Sequence, residues 1–312
     1  MSSVRPAAMA VKVQSAKKSN QTALAEVLRI AAAHRENFAR FTWWLPKQAR
    51  YDLLTLYAYC RTADDAADLP GSAAFRTDKL DDIEQNLHAA LANKSAPSFY
   101  PAVAELIVRR TLPVEQFQYL LDAFRRDQIV TDWESLSDLI EYSEHSANPV
   151  GRLVLRILAP EQVNNSVDQA SDYVCTALQL VNFWQDVQRD FASGRIYLPR
   201  DRREHFGVTK NVLQTGIATA GYRDLLRELC DDTRQRFETG RKGLTQLHGG
   251  VGFTIDWFAT SGMRLLRKIE LSDFDTLSQR LVVSKLDRGL AALQSLLRKK
   301  SDSNRQPLNL QQ

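Results

Sequence analysis

The sequence predicts an all-α protein, and three observations carry that prediction. Apolar residues recur at helical spacing through most of the 312-residue chain, and strand-like alternation is absent. Prolines and glycines punctuate the periodic segments, as at Leu69-Pro70-Gly71, Asn148-Pro149 and Gly249-Gly250. Residues 179–190 (QLVNFWQDVQRD) extend a helix with two different faces. Gln179, Asn182, Asp186 and Asp190 fall on one line, while Tyr173, Ala177, Leu180, Trp184, Val187 and Phe191 form an apolar stripe widened by Val174, Leu178 and Val181. Unpaired buried carboxylates cost several kcal/mol, so cations, water or a charged ligand must compensate this line. The pattern points to a wet, metal-holding cavity inside a bundle of helices.

The elements follow in order. Residues 1–20 are rich in Ala, Ser and Lys and lack the apolar stretch of a signal peptide. They read as a disordered basic tail, with an organelle transit peptide as the second explanation. The first helix spans 22–41 and runs into Phe41, Trp43 and Trp44. Pro46 opens the next, where proline is tolerated, and YDLLTLYAYCRTADDAAD carries it to Leu69-Pro70-Gly71. A polar amphipathic helix covers 76–93, a loop 94–98, and Pro113 starts a helix to about 126. A helix over 133–147 ends at Asn148-Pro149, because proline disfavours the α conformation of its predecessor. Helix 150–159 follows. The central helix covers about 166–191, with Ser166 and Gln169 spaced as a capping box. Residues 192–207 are irregular with a short helical turn, and 217–247 form a long polar-faced helix closed by Gly249-Gly250. Two further helices occupy about 253–271 and 276–298, the last with the stripe Val283, Leu286, Leu290, Leu293 and Leu297. Residues 301–312 form a second disordered tail. With no linker and no fixed-period repeat, 21–300 reads as a single domain.

Composition narrows the function. The chain is 44% hydrophobic and 25% charged, as expected of a soluble globular protein, and no apolar run is long enough to span a membrane. Cys60, Cys175 and Cys230 lie far apart on helical patterns and suggest free buried thiols in a reducing, cytoplasmic setting. The net charge of +4 is mild, and no basic stretch interleaves with aromatics, which argues against nucleic acid as a partner. The last stripe ends in Arg298-Lys299-Lys300. Peripheral contact with anionic lipid on the inner face of a cytoplasmic membrane therefore stands beside simple closure of the bundle. The five histidines never pair at metal-ligand spacing, and serine or cysteine nucleophile motifs are absent.

Four aspartate pairs stand at i, i+4: Asp64/Asp68, Asp78/Asp82, Asp168/Asp172 and Asp186/Asp190. Asp78/Asp82 and Asp168/Asp172 fall in or near first helical turns, where the helix dipole favours negative charge, and read as structural. Asp64/Asp68 lie toward the unfavourable end of their helix, with Asp65 adding repulsion. Their stripe runs Lys47, Arg50, Leu54, Tyr57, Arg61, Asp64, Asp68, beside the small apolar stripe Ala49, Leu53, Leu56, Cys60, Ala63, Ala67. Two such helices facing each other would offer four carboxylates to hard divalent cations, and Mg²⁺ bridges carboxylates to phosphate oxygens. Arg61, Arg189 and Arg195 could meet the remaining phosphate charge. A solvated surface laced with i, i+4 ion pairs is the competing explanation of the spacing. Phe38, Phe41, Trp43, Trp44, Tyr57, Phe124, Tyr142, Phe183 and Trp184 fit a plain core, or in part a pocket whose π faces stabilise a carbocation.

YAYCRTADDAAD together with LQLVNFWQDVQRDFASGRIYLP closely resembles the two signature regions of the squalene/phytoene synthase family, over roughly residues 30–290. The resemblance implies an isoprenoid-synthase-type bundle with a central cavity, and Mg²⁺-dependent chemistry on prenyl diphosphates joined head to head. It implies Asp64, Asp65, Asp68, Asn182, Asp186 and Asp190 as ligands to two or three Mg²⁺ ions accompanying the diphosphate. Tyr57, Tyr142 and Asn148 join the aspartates as catalytic candidates. Arg61, Gln179, Asn182, Arg189, Arg195, Tyr197, Asn37 and Phe38 are the substrate-binding candidates.

Three departures from the family pattern refine the expectation. Gln185 replaces a basic residue common before the second motif's first aspartate. Glu36 in HRENF stands where a cation is common, and Ser146-Ala147-Asn148 replaces the usual Val-Ala-Gly at the helix break. Cations lost and amides gained in a diphosphate site weigh against the two-substrate condensation. HRENF, SANPVGRLVL and NFWQDV resemble instead the bacterial hydroxysqualene-forming branch of hopanoid pathways. The expected reaction is conversion of presqualene diphosphate to hydroxysqualene without NADPH, alongside other squalene-pathway enzymes. Asn148 would hold the attacking water, or merely turn the chain before Pro149. The alternatives are condensation of two prenyl diphosphates to presqualene diphosphate or phytoene, and a non-catalytic assembly factor of the same fold. The intact aspartates weigh against the last.

Overall fold

Capping residues set many of the helix boundaries in a computed structural model of the chain, which describes residues 22–33, 45–284, 287, 290–292 and 294–295. Among these residues the structure is all-α, and one isolated parallel bridge pairs Asp132 with Ile196. The helices are α1 (22–33), α2 (Lys47–Ala67), α3 (Ala73–Leu91), α4 (Tyr100–Arg110), α5 (Glu115–Arg126), α6 (Leu136–Ser146), α7 (Asn148–Leu158), α8 (Asn165–Gln185), α9 (Val187–Ala192), α10 (Arg200–His205), α11 (Lys210–Thr215), α12 (Ala220–Gly243) and α13 (Gly249–Leu271). The expected tails and the aromatic run 41–44 lie outside the described residues. No helix among the described residues is long and apolar enough to cross a membrane.

The chain gathers into two compact units. One comprises the described residues up to Ile129 with Arg156–Leu158, and the other Val130–Leu155 with the described residues from Ala159 onward. In the first, α2 packs against α3, α4 and α5. Ala49, Leu53, Leu56, Ala63 and Ala67 are buried, as their helical spacing requires. Tyr59 is buried on the same helix, and its hydroxyl donates to the Phe117 carbonyl at 3.1 Å.

In the second unit α8 packs against α6, α12 and α13. Its apolar stripe sinks into the core, with Val174, Ala177, Leu180, Val181 and Trp184 all buried. The Trp184 indole N–H finds the Thr233 hydroxyl at 2.9 Å. Gly240 lets α12 come close to α8: a Cβ there would lie 2.7 Å from the Ala170 carbonyl oxygen. Backbone cannot give way as a flexible side-chain tip can. Gly240→Ala is therefore expected to destabilise the protein by about 1–3 kcal/mol through overpacking, measurable as a lower urea midpoint at unchanged slope.

Several expected boundaries shift for identifiable reasons. Asn164, not Ser166, caps α8, because its carboxamide oxygen accepts from the Ser166 and Val167 amides. The helix expected over 166–191 bends at Asp186 (φ −101°, ψ 15°), which separates α8 from α9. Backbone bonds still run Asp186 to Asn182 and Asp190 to Asp186, each 2.9 Å, so the aspartates keep their helical spacing. The break before α7 falls at Ala147, and Asn148 with Pro149 forms its first turn. The helix expected from 276 is absent over 276–284. Asp275 turns the chain by accepting from the Leu277 and Ser278 amides, and a reciprocal Ser284/Asp287 pair caps the helical residues that follow. There Ala291 and Ser295 are buried and Leu290 is exposed.

Candidate active site

The first aspartate motif sits on the last turns of α2. Three aspartates at a helix C-terminus face an unfavourable dipole, and α2 has no basic residue in its last turn. Arg61, one turn back, offsets them by reaching Asp64 at 2.9 Å and Asp65 at 2.6 Å. Both carboxylates keep more than two-fifths of their side-chain surface exposed, so water or a ligand can still reach them. Asp68 closes the helix and is exposed. Tyr57 lies half-buried one turn before Arg61. Asn37 and Phe38 lie outside the described residues.

The same helix holds a carboxylate that the sequence reading did not single out. Asp52 is fully buried, and Arg109 (2.6 and 3.1 Å), Arg110 (2.8 Å) and Gln48 (2.9 Å) all donate to it. Burial alone would raise its pKa, but these donors hold it below the ordinary carboxylate value.

The second motif straddles the α8–α9 bend. Gln179 is half-buried and Asn182 exposed. Both carboxylate oxygens of Asp186 accept from Arg280, at 2.6 and 2.9 Å, while the exposed Arg189 stands 3.8 Å away. Gln185, where the family commonly has a cation, is buried and donates its amide to the Leu281 carbonyl. The Arg195 N–H bonds to the Asp190 carbonyl at 2.8 Å, which fixes the chain leaving α9. Arg195 to Tyr197 are then held by Ile196, whose N–H donates to Thr131 at 2.7 Å. Buried Arg203 braces both sides, donating to the Leu198 carbonyl at 2.9 Å and to Asp132.

An aromatic cluster stands on the same unit. Phe183 and Tyr197 stack with centroids 4.0 Å apart and planes 9° apart, and Tyr142 lies 6.2 Å from Phe183. Trp133, absent from the sequence-derived candidates, completes it 4.9 Å from Tyr142. Asn148 is buried, and its Oδ1 accepts from the Thr176 hydroxyl at 3.1 Å. Thr176 is seven residues before Phe183, on the same face of α8. Ten residues separate it from Asp186, about 15 Å at 1.5 Å per residue. Asn148 is thereby held against α8 nearer to Phe183 than to Asp186 along the helix. The three cysteines are free, and burial pushes each thiol up to about 12, away from nucleophilic use.

A divalent cation sets its own demands on these donors. Among the described residues no three His, Cys, Asp or Glu side chains converge into a closed metal cage. The acids present are paired oxygens, each pair already countered by a guanidinium. Mg²⁺ takes one or two carboxylates and fills its octahedron with water and phosphate oxygens. The residues fit an open site of that kind, which a phosphate ligand would complete.

By fold, the chain is an isoprenoid-synthase-type helical protein. It superposes on the squalene synthase HpnC from Alicyclobacillus acidocaldarius with a TM-score of 0.75 and 32% identity, over 81% of this chain and 95% of that one. A dehydrosqualene synthase crystallised with a ligand matches with a TM-score of 0.77 at 20% identity, over 91% and 99% of the two chains, and shows the fold alone. A model of the squalene/phytoene synthase family matches residues 31–287, and the chain belongs to that family. Phytoene synthase from Thermus thermophilus is 27% identical over 264 residues, 85% of this chain and 89% of the relative. The chloroplastic phytoene synthase of Narcissus pseudonarcissus is 26% identical over 268 residues, 85% of this chain but 63% of the relative's own length.

Proposed function

We propose that this protein is a Mg²⁺-dependent enzyme of prenyl diphosphates that converts presqualene diphosphate to hydroxysqualene. The observation that carries the finer reading is Asn148, buried and held by Thr176 on the α8 face that also bears Phe183 of the aromatic cluster. Two or three Mg²⁺ ions on Asp64, Asp65 and Asp68 and on Asn182, Asp186 and Asp190 would supply the charge that draws off the diphosphate. Arg61, Arg189 and Arg195 meet its outer oxygens, with Gln179 as a further polar contact. The carbon–oxygen bond breaks, the electron pair leaves with the diphosphate, and a cyclopropylcarbinyl cation remains and rearranges. Tyr142, Phe183 and Tyr197 present π faces to it, and Tyr57 stands near the first motif.

Water ends the reaction. The Asn148 oxygen is already engaged by Thr176, so the amide N–H₂ is the group that holds the water. A water that accepts from this amide keeps a lone pair for the cation. Its oxygen bonds to carbon, and its proton is lost to surrounding water. No hydride enters, so NADPH has no part. The protein would work alongside other squalene-pathway enzymes, at most peripherally on a membrane.

A second reading is favoured by the names of the relatives, which are phytoene, squalene and dehydrosqualene synthases. It is head-to-head condensation of two prenyl diphosphates. Offering presqualene, farnesyl and geranylgeranyl diphosphates separately distinguishes the two. With presqualene diphosphate in ¹⁸O-labelled water, the label should enter the alcohol, and NADPH should change neither rate nor product. Asn148→Ala should divert product toward dehydrated hydrocarbons. NADPH-dependent squalene formation by the pure protein would sink the reading.

A further inference from the structure

After α13 the chain crosses the second aspartate motif without helix, fastened at a root and at an outer part. At the root, Thr276 and Leu277 are buried, and the Tyr222 and Thr276 hydroxyls lie 2.7 Å apart. The Asp275 carboxylate accepts from the Leu277 and Ser278 amides, which fixes the turn. Beyond it, residues 278–280, 282 and 284 are exposed, and side chains supply the hold. Arg280 occupies both oxygens of Asp186, Gln185 donates to the Leu281 carbonyl, and Lys268 donates to the Val282 carbonyl at 3.0 Å. Two neighbouring residues at the α8–α9 bend thus carry two of the outer pins. Neither Gln185 nor Arg280 has a part in the reaction described above.

We propose that residues 278–284 form a latch that a divalent cation releases. The cation and the Arg280 guanidinium compete for the same two carboxylate oxygens of Asp186, so cation loading frees Arg280 and the strap around it. The inference rests on the proposed role of Asp186 as a cation ligand. A site open for only a fraction of the time binds its cation more weakly by that fraction. Weakening any pin must therefore tighten cation binding. Gln185 gives the cleanest test, because its pin carries no charge.

Metal-stripped full-length protein is treated with trypsin at constant ionic strength, with and without Mg²⁺, and the fragment ending at Arg280 is followed by mass spectrometry. Mg²⁺ is expected to speed cleavage after Arg280 by about threefold or more. Gln185→Ala should be cut rapidly without Mg²⁺ and should bind Mn²⁺, read by electron paramagnetic resonance, about three- to tenfold more tightly than wild type. Arg280→Lys keeps the charge but gives up the paired geometry, and should also bind Mn²⁺ more tightly. Circular dichroism establishes that each variant is folded, and the wild-type cleavage test needs no variant. Cleavage indifferent to Mg²⁺, or wild-type Mn²⁺ affinity in folded Gln185→Ala, overturns the latch. Turnover of a prenyl diphosphate is measured in parallel. Turnover with an unresponsive strap removes the latch and leaves the proposed function standing. Absence of both cation binding and turnover removes the site reading, and the latch with it.

Discussion

Alanine at Asp64, Asp68, Asp186 or Asp190 is expected to lower kcat by about a thousandfold or more, about 4 kcal/mol of lost charge stabilisation. The fold should survive each change. Asp64 and Asp65 share Arg61, so removing one acid relieves a crowded cluster while the guanidinium keeps a partner. Asp68 is exposed at the end of α2. Asp186→Ala strands Arg280, but that side chain is about half exposed, and water replaces the lost bonds at a cost of under about 1 kcal/mol. Steady-state turnover against Mg²⁺ concentration, with circular dichroism as the control for folding, is the measurement. Near-normal turnover in Asp68→Ala would mean that the metal-site assignment is wrong.

Asp52→Ala should do the opposite, lowering stability and sparing the chemistry. The change removes a fully buried carboxylate from two arginines that are themselves only a quarter to a third exposed. Breaking a buried pair costs about 3–5 kcal/mol when the remaining charge stays uncompensated. Here both arginines can turn partly to water, so about 2–4 kcal/mol is expected, lowering Tm by about 3–6 °C. The pH dependence follows in sign. The folded pKa of Asp52 is depressed, so its contribution is fully present above the unfolded carboxylate value. It is lost as pH falls through the lower folded value, and a larger share of wild-type than of mutant stability should vanish on acidification. Thermal melts of both proteins between neutral and acidic pH decide it. An unchanged Tm in Asp52→Ala would show that the arginine pair is not held by this carboxylate.

Both predictions involve carboxylates of α2, yet only Asp64 and Asp68 were legible before the structure. Asp64 and Asp68 could be found because spacing on a helix is local: four residues make one turn whatever the helix packs against. Asp52 lies on the same helix, but its significance comes from Arg109 and Arg110, 57 and 58 residues away. Nothing in the spacing of α2 reports which surface α4 will offer it. The same division appears on α8. The line Gln179, Asn182, Asp186, Asp190 and the buried stripe beside it were both readable, whereas Trp133 joined the aromatic cluster only through the contact between 131–133 and 196.

The sequence by itself determined the helical class, the family signatures and the two aspartate lines, since periodicity and short-range capping are set by backbone geometry within a few residues. Tertiary structure decided what neutralises those lines. Arg280 meets Asp186 across 94 residues of chain, inside a stretch whose apolar spacing read as helix. The Asp275 turn and the Ser284/Asp287 cap keep residues 276–284 out of helix. Gln185, read as a cation lost, became a pin for the Leu281 carbonyl. Such pairings depend on where distant segments come to rest, and a long-range hydrogen bond leaves no periodic trace in the residues that make it.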